Sequence, residues 1–428
     1  MKINLGIVGI GNIGSSVIGA IEKNKRLYKK KYDLEINIVG ISAKNKKKKR
    51  SFDIKKYTWF KNPIDIINIS DIHVIVELIG GSSGLALEIA KKTLNTKKHL
   101  VTANKALIAT HGKMLNNLAV KHNVNINFEA AVAGGVPVIS VIENRMLADN
   151  VTNIYGILNG TCNYILSQMY ERKLSFESAL KNAQKAGFAE ADPFDDVSGT
   201  DTAYKLLILS NLIFSNNLKI KEVYKEGITK ISIIDLEMAE KLGYTVLLLG
   251  ICNIKKQILQ LRVHPCLVSK KSLLARVKNE LNSVVIEGHL SDKIILIGKG
   301  AGKEPTAASV LSDIINFNSN KKRKFGLINS TPKQYKKAYM LNRKGKFYIR
   351  MSVMDKPGVL ADITSLFKKQ KISISSMFQL EKKISTHAQL IFITHTILEK
   401  QLLLAIKKIK KIDKVKTKIN FIRIENNL

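Results

Sequence analysis

From the N-terminus to about residue 130, short apolar runs recur: "INLGIVG", "EINIVGIS", "HVIVELIG", "HLVTA" and "INFEAAV". Between them lie longer stretches in which apolar residues return every three or four positions. Strand-length runs alternating with helix-period segments predict a Rossmann-type, doubly wound parallel α/β sheet over residues 1–135. Beyond residue 136 the segments are longer and mixed. "SFESALKNAQKAG" predicts a helix, and "QILQLRVHP" and "NSVVIEG" predict strands, so 136–318 is expected to form an α+β catalytic and dimerisation unit. From 347 to 428 the pattern runs strand, helix, strand, strand, helix, strand, the order of a small ferredoxin-like domain. Residues 319–346 are polar, basic and without a clear period, and are expected to be a linker.

Composition agrees with folded domains: of 428 residues, 45% are hydrophobic and 24% charged. No apolar run approaches the roughly 18 residues of a membrane helix, so no membrane partner is expected. The opening "MKINLGIVGIGNIG" runs straight into a glycine-punctuated strand and not into a secretory signal. Three cysteines without a paired spacing point to a reducing, cytoplasmic setting. The net charge of +36 invites a nucleic-acid reading, and "KNKKKKR" and "NKKRK" are local clusters. Lysine is nevertheless spread over the whole chain, so most of these residues are read as solvated faces and nucleic-acid binding as an alternative only.

Three stretches carry candidate chemistry. Gly9-Ile10-Gly11-Asn12-Ile13-Gly14 follows the first strand directly and opens a helix, the context in which such glycines cradle a dinucleotide pyrophosphate. The second strand ends without an aspartate or glutamate to hold a ribose hydroxyl. Lys44 and the lysines after it can neutralise a 2′-phosphate, which favours NADP over NAD. Lys105, in "VTANKALIATHGK", follows a strand at the edge where open α/β sheets bind ligands. In "GFAEADPFDDVSGTDTAYKL", five acids gather in a basic chain, and Asp201 and Lys205 are four apart on one helix face. Read without other information, that spacing is an ordinary surface pair.

Two rival chemistries are weaker. Cys162 lacks a nearby histidine to make it an aldehyde-attacking thiolate, and a buried structural role is expected. His264 and Cys266, taken with Cys252, do not form a zinc-ligand spacing.

The segments "GIVGIGNIG", "VTANKALIATHG", "FEAAVAGGVPVI", "GILNGTCNYIL", "AQKAGFAEADPFDDVSGTDTAYKL", "RVHP" and "GKGAGKEPTAASVLSD", in this order, resemble the homoserine dehydrogenase family, and the tail from 348 resembles an ACT domain. The resemblance implies reversible NAD(P)H-dependent reduction of L-aspartate 4-semialdehyde to L-homoserine, a step of threonine, methionine and isoleucine synthesis. It implies that Lys205 manages the proton and that Lys105 lies against cofactor and substrate. Glu190 and Asp201 would meet the substrate's ammonium, with Gly187 and Gly302 contacting the cofactor. The helix after Gly302 would complete the first domain with residues of about 300–318. A monovalent cation, attributed to sodium, would take Glu129 and the carbonyls of Val132, Gly134 and Val136. A homodimer or homotetramer is implied as well, with threonine as an effector at the turn "VMDKPGVLAD". The chain departs from the family where Ser42-Ala43-Lys44 lacks the common arginine, where Ser82-Ser83-Gly84 replaces a proline-containing loop, and where Cys162 replaces threonine. A non-catalytic amino-acid sensor on the same scaffold is the other alternative; the intact Lys105, Glu190, Asp201 and Lys205 speak for the enzyme.

Overall fold

The structure, a computed structural model, describes residues 1–146, 148–214, 218–317, 335–380, 387–426 and 428. Six strands, β1 (Lys2–Val8), β2 (Glu35–Ser42), β3 (Thr58–Trp59), β4 (Val74–Glu77), β5 (His99–Thr102) and β6 (Ile126–Asn127), form a parallel sheet in the order 3-2-1-4-5-6. Helices α1 (Asn12–Tyr32), α2 (Pro63–Ile67), α3 (Leu85–Asn95) and α4 (Lys105–His122) make the crossovers. The central strands are apolar almost throughout because both faces are covered.

Two of the expected strands are shorter than their apolar runs. β4 ends at Glu77, whose carboxylate turns back to accept the amides of Ile79 and Gly80. "INFEAAV" gives only Ile126–Asn127 and then a 3-10 turn, Glu129–Ala131. The chain bends there because Asp313 accepts the Glu129 amide while the Asp313 carbonyl takes Asn127 Nδ2.

The middle of the chain comprises α5 (Val138–Arg145), β7 (Val151–Ile157), α6 (Gly160–Glu171), α7 (Phe176–Lys185), α8 (Phe194–Val197), α9 (Thr200–Phe214), β8 (Tyr224–Lys225), α10 (Ile233–Lys241), β9 (Tyr244–Lys255), β10 (Ile258–Ser269), β11 (Leu281–Gly288), β12 (Asp292–Lys299) and α11 (Lys303–Ile315). α9 is buried on nearly every side, as its continuous apolar run "LLILSNLIF" requires. α11 returns to the parallel sheet, where Val310 and Ile314 join Ile3, Leu5 and Ile18 in one core.

The C-terminal region holds β13 (Lys336–Lys337), β14 (Lys344–Met354), α12 (Val359–Lys369), β15 (Ile374–Leu380), β16 (His387–Thr394), β17 (Ile397–Leu398), α13 (Glu399–Ile409) and β18 (Val415–Glu425). Most of the expected linker lies outside the described residues. Its end is docked, with β13 paired to β10. The second sheet runs β12-β11-β7-β9-β10-β18-β14-β16-β15, so it crosses from the middle region into the tail through the parallel pair β10 and β18.

Candidate active site

A cavity of about 1110 Å³ opens at the C-terminal ends of β1 and β2. Gly9 and Gly11 line it, and Asn12, Ile13 and Gly14 form the first turn of α1 behind them. Gly9 has φ +98°, and a Cβ on Gly14 would stand 2.2 Å from the Gly9 carbonyl oxygen, so the tight strand-to-helix turn demands both glycines. No side chain caps α1, which leaves its first amides open to an anion. The opposite wall carries Lys44, Lys46, Lys48 and Lys61 and no carboxylate. Arg50 ties this lysine loop down by donating to the carbonyls of Asn45 at 2.6 Å, Lys48 at 2.8 Å and Ile10 at 3.2 Å. Its guanidinium and the Lys46 ammonium each lie 5.7 Å from the Trp59 ring. Glycine turn, helix end and basic wall fit a phosphorylated dinucleotide.

The acidic stretch divides between surface and interior. Gly187 and Glu190 are exposed on the loop after α7, and the Glu190 carbonyl accepts Gln184 Nε2. Thr161 pins this loop to α6 by donating to the Phe188 carbonyl at 2.7 Å. Asp192 accepts the Phe194 amide at 3.0 Å across Pro193, just ahead of α8, while Asp195 stays exposed. Asp201 is only 2% exposed. Its Oδ2 lies 2.8 Å from Lys205 Nζ, and its Oδ1 contacts Lys105 Nζ. Lys205 also donates to the Leu158 carbonyl at 2.7 Å. This is no surface pair: a buried carboxylate joins the lysine of α9 to the lysine that opens α4.

Burial by itself would raise the pKa of Asp201, yet Lys205 and Lys105 hold it well below the usual carboxylate range. Burial opposes the charge on Lys105 too, but Asp201, followed by Asp196 and Asp195, lifts its pKa above the ordinary lysine value. For Asp196, burial and the neighbouring Asp201 charge win, and its pKa is raised.

Several residues that sequence reasoning passed over hold this arrangement. Asn159 donates from Nδ2 to both Asp196 Oδ1 at 2.7 Å and Asp201 Oδ2 at 2.8 Å, and its Oδ1 caps α6. Glu77, fully buried, accepts from Thr102 Oγ1 at 2.6 Å; Thr102 in turn accepts the Asn104 amide, and Asn104 caps α4 beside Lys105. The only sequence signal for these was polarity inside apolar runs. Cys162 is fully buried, and burial followed by Asp196 and Asp201 pushes its pKa well up, which disfavours a thiolate.

Glu129, Val132, Gly134 and Val136 sit together on the buried loop between β6 and α5. The Glu129 carboxylate accepts the amides of Ile139 at 2.9 Å and Ser140 at 2.8 Å, the Gly134 carbonyl accepts Ser309 Oγ at 2.7 Å, and the Val136 carbonyl accepts the Val138 amide. Carboxylate and carbonyl oxygens are the donor type that a hard cation takes. Gly302 is exposed at the N-terminus of α11, and the preceding Gly300 carbonyl lies against Gly134.

His264 and Cys266 meet Glu425, not Cys252. The Glu425 carboxylate is already held by Arg343 at 2.7 Å and Arg262 at 3.3 Å, and burial with three nearby arginines keeps His264 neutral. So much positive charge opposes a metal cation there.

Comparison with known proteins gives matches along the chain. Family models for "Homoserine dehydrogenase, NAD binding domain", "Homoserine dehydrogenase" and "ACT domain" match residues 9–129, 137–315 and 347–414. A homoserine dehydrogenase of Helicobacter pylori is 36% identical over 99% of both chains. The crystal structure of a homoserine dehydrogenase from Thiobacillus denitrificans superposes with a TM-score of 0.88 at 33% identity, covering 100% of this chain and 99% of that one. A hyperthermophilic archaeal homoserine dehydrogenase in complex with NADPH covers 76% of this chain and 100% of its own, with a TM-score of 0.64 and 26% identity.

Proposed function

The chain belongs to the homoserine dehydrogenase family, and on that premise we propose that it interconverts L-aspartate 4-semialdehyde and L-homoserine with NADP in preference to NAD. The observation that carries the reading is the buried carboxylate of Asp201 joining Lys105 to Lys205 at the entrance to α4 and α9. When bound in the cavity beside Gly9 and Gly11, a nicotinamide coenzyme would supply the hydride chemistry at the substrate's C4. Lys205 Nζ then donates a proton to the oxygen that gains negative charge, and takes it back in the oxidation. Asp201 keeps that ammonium oriented through one oxygen while steering Lys105 with the other. The substrate's own ammonium meets the carboxylates of this region, with Glu190 on the exposed loop as one contact and Asp201 as the other. Gly9, Gly11, Asn12, Ile13 and Gly14 bind the pyrophosphate, Lys44 the 2′-phosphate, and Gly187 and Gly302 border the rest of the dinucleotide.

The same reading assigns a sodium ion to Glu129, Val132, Gly134 and Val136, and a small amino acid, threonine, to the turn before α12. It places the enzyme in the cytoplasm as a homodimer or homotetramer serving threonine, methionine and isoleucine synthesis. No helix among the described residues is long and apolar enough to cross a membrane.

The decisive experiment follows nicotinamide absorbance with homoserine and either NADP or NAD. Homoserine-dependent reduction, faster with NADP at equal concentration, is expected. No reduction with either coenzyme overturns the proposal.

A further inference from the structure

The tail reaches the catalytic bridge through one fully buried arginine. Arg423, on β18, is 0% exposed. On its own side it contacts Glu399 at the start of α13, with Nε at 3.0 Å from Oε2. Across the junction its Nη1 donates to Glu226 Oε2 at 2.7 Å and its Nη2 to Tyr224 Oη at 2.9 Å. Burial would raise the pKa of Glu226, but Arg423 lowers it, so the pair is ionised.

Glu226 belongs to a strap, residues 224–228, laid between β10 and the turn that leads into α9. On one side the Glu226 amide donates to the Val263 carbonyl of β10 at 2.7 Å. On the other side the Ile228 amide donates to the Val197 carbonyl at 3.0 Å. Gly227 presses so closely that a Cβ there would stand 1.9 Å from the Val197 oxygen. Lys225 Nζ donates to Thr200 Oγ1 at 2.7 Å, and the next residue is Asp201. Strap and turn thus share backbone bonds, a side-chain bond and a close steric contact, all within four residues of Asp201.

We infer that Glu226 is a positioning residue: gripped by Arg423 of the tail, it sets the strap that holds the 197–200 turn, and so the placement of Asp201 and Lys205. The tail therefore acts on the proton-handling pair through β18 and without touching substrate. Arg423 is itself fixed by Glu399 within the tail, so it offers Glu226 a guanidinium that cannot follow the strap if the strap shifts. The inference rests on the reading of Asp201 and Lys205 given above, but one of its readouts does not require turnover.

The test compares full-length wild type with Glu226→Gln, Glu226→Asp and Lys225→Met, measuring kcat, KM for homoserine, coenzyme dissociation and amide hydrogen exchange. Glu226→Gln is expected to lower kcat about tenfold with coenzyme binding unchanged, and to speed exchange selectively at residues 197–205. Glu226→Asp restores part of the loss. Lys225→Met, at an exposed position that leaves no buried charge, is expected to show the same local exchange change and a drop in kcat of about threefold; it decides the matter if Glu226→Gln does not fold. Unchanged exchange at 197–205 in both Glu226→Gln and Lys225→Met, or exchange raised equally over the whole chain, overturns the inference. Altered local exchange in the variants, with a wild type that never oxidises homoserine, would sink the assigned activity and leave the link standing.

Discussion

Lys205 Nζ lies 2.8 Å from Asp201 Oδ2, four residues back on a helix buried on nearly every side. The spacing that elsewhere makes a weak surface pair here fixes an ammonium group in the interior. Lys205→Ala is expected to lower turnover by roughly 100- to 10,000-fold, the span of a lost general acid, while coenzyme binding followed by fluorescence stays nearly intact. Turnover within about twofold of wild type would show that another group handles the proton.

Acid titration separates two neighbouring carboxylates, one at the end of α8 and one at the start of α9. The folded pKa of Asp201 is depressed, so the stability it contributes is present above the unfolded carboxylate value of about 3.9 and is lost as the pH falls below that toward the lower folded value. Asp196, with a raised pKa, is the opposite case: its ionisation costs stability as the pH rises above the same value. In thermal melts, the Tm advantage of wild type over Asp201→Asn should shrink as the pH falls from about 4 toward 2, whereas Asp196→Asn should gain on wild type as the pH rises from about 4 to 6. Parallel curves for both variants would refute the assignment.

On the proposed reading, coenzyme choice rests with the basic wall beyond β2. Lys44→Glu should raise KM for NADP about 10- to 100-fold, the worth of one charged hydrogen bond with phosphate, and leave KM for NAD nearly unaffected. An equal loss with both coenzymes would mean that Lys44 does not meet the 2′-phosphate.

The oxygen-lined loop at Glu129 predicts a response to the monovalent cation. Replacing sodium by choline should lower the Tm of wild type and have no effect on Glu129→Gln. The cation assignment fails if wild type melts at the same temperature in both salts.

For the tail, titration calorimetry with threonine should give heat with wild type and none with Gly358→Val. Gly358 has φ +89°, a conformation that a β-branched residue adopts only with strain. Heat that survives the substitution would put the ligand elsewhere, and absence of heat from wild type would remove threonine as the ligand.

The parts of the molecule legible in the sequence were those governed by neighbours along the chain. The glycines from 9 to 14 announce themselves because strand, turn and helix follow each other without interruption. Strand-helix order in the tail was readable for the same reason. Contacts between distant segments were not. The meeting of Lys105 with Asp201 joins the starts of two helices about a hundred positions apart, and no period in either segment encodes it. Asn159 caps α6, and nothing local reveals its bonds to two aspartates. "INFEAAV" misled because apolar residues fill a buried bend as well as a strand, and the cause of the bend, Asp313, comes from α11. The family resemblance supplied names for Lys105, Glu190, Asp201 and Lys205; it said nothing of Arg423 and Glu226.

One flank of β10 is tiled by three separate strands: β13 at its start, β8 in the middle and β18 at its end. Shortening the protein before residue 415 would strip the last of these and bare a row of amides and carbonyls ready to capture another chain. The role of the ACT domain is therefore better probed by single replacements inside it than by amputating it, since the amputated form would meet its own copies along the bared edge.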